Sequence, residues 1–220
     1  PVPYLTSWWM AFLVLTVVGE RLELAKLRAH GRAAQVSFGV AVAVYIGALL
    51  LMVVDEGVGM RLSGVGMIAL ALWLLRFDIA TMTIRREGLP RFVATCLLAG
   101  YVWLGIAGAV VLSGEPAFAG FSYDAYLHAV LLGFVMSMVF GHAPIIFPAI
   151  VERPIGFNAF AYVPLAVLHF SVALRILADL AGNQMVRQAA GVWTGVALGL
   201  YAAFIVYGLM RGDSRSWHSN

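Results

Sequence analysis

Seven apolar stretches follow one another along the chain, separated by short connectors that hold the helix breakers and most of the charge. They run over roughly Leu5–Leu24, Ala33–Val54, Leu62–Ile84, Phe92–Ser113, Tyr126–Val151, Ala159–Ala181 and Ala189–Met210. A run of about 20 apolar residues is what a helix needs to cross the hydrocarbon core of a bilayer. Between them lie Ala29-His30-Gly31-Arg32, Asp55-Glu56-Gly57, Arg85-Arg86-Glu87-Gly88-Leu89-Pro90-Arg91, Gly114-Glu115-Pro116, Glu152-Arg153-Pro154 and Gly182-Asn183-Gln184. Gly, Pro and Asn in such clusters interrupt a helix for defined steric reasons. No connector is long enough to hold a second domain, and no strong internal repeat is visible. The expectation is an all-α, polytopic transmembrane bundle of seven spans, one domain over residues 1–220.

Composition narrows this further. Of 220 residues, 62% are hydrophobic and 11% charged, with a mean hydropathy of +0.92. A soluble domain carries roughly 25% charged residues, so this chain lacks the polar surface to cover a globule. The net charge of +3 does not point to nucleic acid, because the basic residues lie between apolar runs rather than in a patch. Cys96 is the single cysteine, so no internal disulfide forms and the redox compartment is left open. The opening run lacks the basic segment and cleavage site of a signal peptide and reads as a true first span.

Lys and Arg divide unevenly between alternate sides of the spans. One side receives Arg21, Lys26, Arg28, Arg32, Arg76, Arg85, Arg86, Arg91, Arg153, Arg211 and Arg215; the other receives only Arg61, Arg175 and Arg187. The positive-inside rule then predicts a cytoplasmic C-terminus and an N-terminus outside, as for a bacterial inner membrane protein. Aromatic pairs near span ends, such as Trp8 and Trp9, fit interfacial belts. Gly195-xxx-Gly199 in the last span is a small-xxx-small pattern, whose plain reading is close helix packing.

Ionisable side chains inside a membrane are costly and point to function unless a partner explains them. His30 lies in a basic connector and His218 in the tail, whereas His128, His142 and His169 lie within apolar runs. Spans five and six form a helical hairpin turning near Ile155. His142 and His169 are each about 20 Å from that turn at 1.5 Å per residue, provided span five continues past Pro144 and Pro148. Equal depth on antiparallel neighbours is what shared ligation of one metal requires. On an uninterrupted α-helix His128 and His142 stand within about 40° of each other and roughly 21 Å apart. That stacking is also found in the haem-ligating helices of cytochrome b. A bis-histidine haem, a haem plus copper, or a haem with Met136 or Met138 as ligand all agree with it. The plainer reading of each imidazole is a hydrogen-bonded core residue.

Arg175 and Asp179 are spaced for an i,i+4 ion pair on span six; alternatively Arg175 anchors a haem propionate. Glu20, Arg21 and Glu23 on span one, with Arg76 and Asp78 on span three, make either an interspan ionic cluster or a proton entry path.

The stretch Tyr126-Leu-His-Ala-Val-Leu-Leu-Gly-Phe-Val-Met-Ser-Met-Val-Phe-Gly-His-Ala-Pro, with Leu168-His-Phe-Ser-Val-Ala-Leu-Arg175, resembles the NnrS-type membrane proteins. Those are haem- and copper-containing bacterial proteins linked to nitric oxide metabolism and distantly similar to the catalytic subunit of haem–copper oxidases. The resemblance covers roughly residues 123–179. It implies that His128, His142 and His169 hold haem b or copper, with Arg175 as a propionate partner. Quinone or another membrane respiratory subunit would be the electron partner. The chain has neither the His-His nor the His-x-His pair of a complete haem–copper centre. Two other classes fit the sequence: a non-catalytic accessory subunit of a larger membrane complex, favoured by the short connectors, and a small-molecule or ion transporter with the Pro-broken fifth span along its path.

Overall fold

The computed structural model describes residues 2–25, 31–114, 119–152 and 156–211. His30, His218 and the turn around Ile155 lie outside them. The described chain is almost entirely helical, and seven of its helices are long and apolar enough to cross a membrane. That is the form an apolar chain must take where backbone N–H and C=O groups have no water to bond. In chain order the elements are α1 (Val2–Ala25), α2 (Arg32–Leu51), α3 (Glu56–Phe77), a single turn α4 (Ala80–Thr83) and α5 (Leu89–Ser113). Span five is composite: α6 (Phe121–His128), a π-helical stretch (Ala129–Val135) and α7 (Met136–Val151). A 3₁₀ turn (Ala159–Ala161) leads into α8 (Tyr162–Leu180), and α9 (Gln184–Arg211) follows.

Several boundaries differ from the hydropathy reading. Span three starts at Glu56 because Asp55 caps it: the carboxylate accepts the Val58 N–H at 3.0 Å. A residue read as a connector charge is the helix start signal. The same span stops at Phe77, because Asp78 takes an extended conformation and its Oδ1 accepts the Ala80 N–H at 2.7 Å. Span five begins at Phe121, after Gly120 turns the chain at φ 88°, a conformation that glycine adopts at little cost.

Helices α3, α5 and span five form the interior of the bundle, while α1, α2 and α9 are more peripheral. Phe92, Leu97, Tyr101 and Leu104 of α5 are buried among Met67, Leu70 and Leu74 of α3 and Phe134 and Phe140 of span five. The α3–α5 crossing is tight. A Cβ on Gly64 would lie 2.7 Å from the Gly108 carbonyl oxygen, and one on Gly108 would lie 2.6 Å from that of Gly64. Small residues let backbones approach in this way where no hydrophobic driving force separates helix from lipid. Gly195 and Gly199 do the opposite: nothing described lies within 4 Å of a Cβ at either. Their pattern serves no packing inside the described chain.

Span five does continue past both prolines. Pro144 has no N–H to give the Phe140 carbonyl, four residues back. The Tyr201 hydroxyl of α9 donates to that carbonyl instead, and its ring stacks on Phe140 with centroids 3.7 Å apart. A break in one helix is thus repaired by a neighbour. Spans five and six do not run as a closed hairpin: α8 packs mainly on α9 and α6, whereas α7 packs mainly on α5.

Candidate functional site

Three polar regions occur along the bundle. The first lies at the basic end, near Glu20, Arg21 and Asp78. Arg21 is only 4% exposed, and a guanidinium stays charged in any protein environment. Its Nη2 donates to Glu20 Oε1 at 3.2 Å and approaches His142 Nε2 at 3.5 Å. His142 Nε2 is 3.8 Å from the same Glu20 oxygen. On the other side of the ring, His142 Nδ1 donates to the Met138 carbonyl at 2.7 Å. Arginine can only donate, so Nε2 is the acceptor and Nδ1 carries the proton. Tyr101 of α5 places its hydroxyl beside Asp78 and Arg21. The Tyr101 hydroxyl is close enough to interact with both, and Arg21 Nε is buried with no hydrogen-bond partner among the described residues. Glu20, with a side chain 58% exposed, stands at the mouth of this group.

The second region centres on His169. The indole N–H of Trp103 on α5 donates to His169 Nδ1 at 2.9 Å, and the rings stack at 20°. Since indole is a donor only, Nδ1 is the acceptor and the proton of the neutral ring sits on Nε2. That Nε2 is buried without a partner. Trp103 can lie there because residue 133 in the π stretch is glycine: a Cβ would meet Trp103 Cγ at 2.5 Å. The indole also lines an apolar cleft of about 400 Å³ between α5 and α8, walled by Ile106, Val110, Ile176 and Leu177.

The third region, at the far end, is an ion network. Arg175 Nε donates to Asp179 Oδ2 at 3.1 Å, the i,i+4 pair expected from spacing, and its Nη2 reaches Asp124 Oδ2 at 3.5 Å. Arg187 from α9 pairs with both Asp124 and Asp179, and its guanidinium lies 4.5 Å above the Phe121 ring. Two arginines and two aspartates cancel, and the Asp179 side chain is fully buried. His128 stands just inside, its Nδ1 donating to the Asp124 carbonyl at 2.7 Å.

The three intramembrane histidines therefore have separate neighbours. His142 faces span one, His169 faces span four, and His128 bonds its own helix. The π stretch between His128 and His142 takes up an extra residue in its turn, which rotates the later ring by about 100° and moves it away from the α-helical alignment. Among the described residues, no group of three or more His, Cys, Asp or Glu gathers as a metal site. The tautomers divide the set. His128 and His142 each donate Nδ1–H to a carbonyl, the tautomer that metal-bound histidines adopt, and the Nε2 lone pair of His142 faces the Arg21 guanidinium. His169 in this arrangement offers only a protonated Nε2.

Glu20, Arg21 and Asp78 stand out in the sequence, but their meeting with His142 and Tyr101 does not. Arg76, expected in the same cluster, has its guanidinium over the Phe77 ring at 5.3 Å. Asp124 and Arg187 escaped because each sits near a span end, where a lone charge is unremarked. Trp103 gives no signal in a span already rich in apolar residues.

Fold and polar regions together define a polytopic all-α protein whose interior carries a few placed ionisable groups. The chain belongs to the family described as Domain of unknown function (DUF8744), whose model matches residues 1–210. No curated protein and no solved structure matches it.

Proposed function

We propose that this is a membrane-embedded redox protein that holds haem b or copper, serving respiratory electron transfer or nitric oxide metabolism in a bacterial inner membrane. The observation that carries this reading is the state of His142: an Nδ1–H fixed on the Met138 carbonyl and an Nε2 lone pair turned toward a buried polar cluster. The likeness of spans five and six to NnrS-type proteins supports the same chemistry. When bound, haem or copper supplies one-electron transfer; quinone or another membrane respiratory subunit exchanges those electrons. His142 is the principal ligand, and His128, with the same tautomer, is a ligand toward the far end. His169, held by Trp103, acts as a hydrogen-bond donor. Arg21 and Tyr101 compensate negative charge next to His142. Arg175 is held by Asp179 and Asp124. The C-terminus is cytoplasmic, in line with the distribution of Lys and Arg.

Haem and metal content of the detergent-purified protein tests this reading. About one equivalent of haem or copper, lost in His142→Ala and retained in His169→Ala, is the expected result. Neither group at stoichiometric level in the wild type overturns the reading and leaves a non-catalytic accessory subunit.

A second reading has its own support. Half-exposed Glu20 lies 3.8 Å from the less exposed His142, two titratable groups spaced to carry a proton inward, with the fixed charge of Arg21 beside both. Proton flux into liposomes that is lost in Glu20→Gln, with no metal or haem present, favours a proton transporter.

A further inference from the structure

The connection between α3 and α5 holds a second feature, separate from the histidines. A cleft of about 710 Å³ opens there, lined by Leu75, Arg76, Ile79, Met82, Arg85 and Arg86 among others. It exists because Asp78 ends α3 and the single turn α4 folds back before α5 begins at Leu89. Arg76, Arg85 and Arg86 are exposed, and among the described residues none of them forms an ion pair with a carboxylate. The acid nearest in sequence to Arg76, Asp78, is fully buried and turned inward to the Ala80 N–H.

Three guanidinium groups on one cleft, against one neighbouring carboxylate, Glu87, that does not line it, leave a net positive anion site, and guanidinium geometry matches phosphate oxygens in bidentate fashion. The rest of the wall tells which phosphate. Leu75, Ile79 and the largely exposed Met82 are apolar, and the cleft lies where a membrane-spanning helix ends, at the depth of lipid headgroups. Basic pockets beside transmembrane helices at that level take anionic lipids, each Arg contributing about 1 kcal/mol. We infer that Arg76, Arg85 and Arg86 bind the phosphate of an anionic phospholipid, whose acyl chains lie along Leu75, Ile79 and Met82.

The test is native mass spectrometry of the full chain in neutral detergent, titrated with phosphatidylglycerol, phosphatidylcholine or inorganic phosphate. Phosphatidylglycerol is expected to bind more tightly than phosphatidylcholine. R85Q/R86Q should weaken it by about thirtyfold, and R76Q alone by about fivefold. R32Q, outside the cleft, should leave binding unchanged. The single R76Q variant keeps the test open if the double variant does not fold. Equal binding of the two lipids, or unchanged phosphatidylglycerol binding in both R76Q and R85Q/R86Q, overturns the site. Inorganic phosphate competing fully, with no added affinity from the lipid, identifies a free-phosphate site and overturns the lipid assignment.

Discussion

The two ends of the bundle treat buried charge differently. At the far end, two arginines and two aspartates from α6, α8 and the start of α9 pair among themselves, with Asp179 fully buried between two guanidinium groups. At the basic end, Arg21 is nearly as buried, but its carboxylate partner Glu20 is half-exposed, its other neighbours are the His142 imidazole and the Tyr101 hydroxyl, and its Nε has no hydrogen-bond partner among the described residues. Removing charge from water is costly, and a closed network recovers that cost through its own contacts. A network left open holds polar capacity that folding does not use. The far-end ion network reads as structure tying α9 to α6 and α8, and the basic end reads as the principal site.

Substitutions can break that contrast. The largest effect is expected from Asp179→Asn, which leaves Arg175 and Arg187 sharing Asp124. Loss of one partner from a buried ion network costs about 3 kcal/mol, read as a lowered thermal midpoint in detergent, and molecules that stay folded should keep the haem or copper proposed for the basic end. Removing a charge of each sign, in Arg175→Met with Asp179→Leu, retains Arg187 with Asp124 and should recover much of that loss. A double variant less stable than the single one would mean that the far end is not a balanced network.

Next in size is Gly133→Ala. The added methyl meets the Trp103 ring at 2.5 Å, and overpacking of this kind costs about 1–3 kcal/mol. Displacement of the indole from His169 should appear as a shifted tryptophan emission. Tyr201→Phe should cost about 1 kcal/mol, because the Phe140 carbonyl next to Pro144 loses its donor; chemical denaturation reads it. The smallest stability effect belongs to Glu20→Gln. Its side chain is 58% exposed, and such pairs contribute under about 1 kcal/mol. The same substitution should nevertheless lower haem or copper retention at the basic end, so that stability and cofactor content separate there and move together at the far end only through unfolding.

Much of the fold was legible in the sequence because an apolar run of sufficient length leaves the backbone only one way to satisfy itself. Seven spans, continuation of the fifth past Pro144 and Pro148, and the Arg175–Asp179 pair all follow from spacing and hydropathy. Span ends were less legible. Asp55 looks like a breaker until its carboxylate is seen to cap α3, and Asp78 looks like part of a span until it is seen to end one. The site was legible only in pieces. Glu20, Arg21 and His142 each stand out as polar residues in apolar runs, but the contact between spans one and five is set by tertiary packing. The π stretch defeats the angular argument for His128 and His142, since a turn with one residue more is not visible in an apolar sequence. Likewise, equal depth of His142 and His169 says nothing of the divergence of α7 and α8, or of Trp103 standing next to His169.

The most direct test of the account is a reduced-minus-oxidised optical spectrum, with metal analysis, on the purified wild type and on His142→Gln and His169→Gln variants. The account predicts a haem or copper signal that is lost in His142→Gln and persists in His169→Gln. A signal lost in His169→Gln and retained in His142→Gln would contradict it, because the open cluster at the basic end would then not be where the cofactor is held.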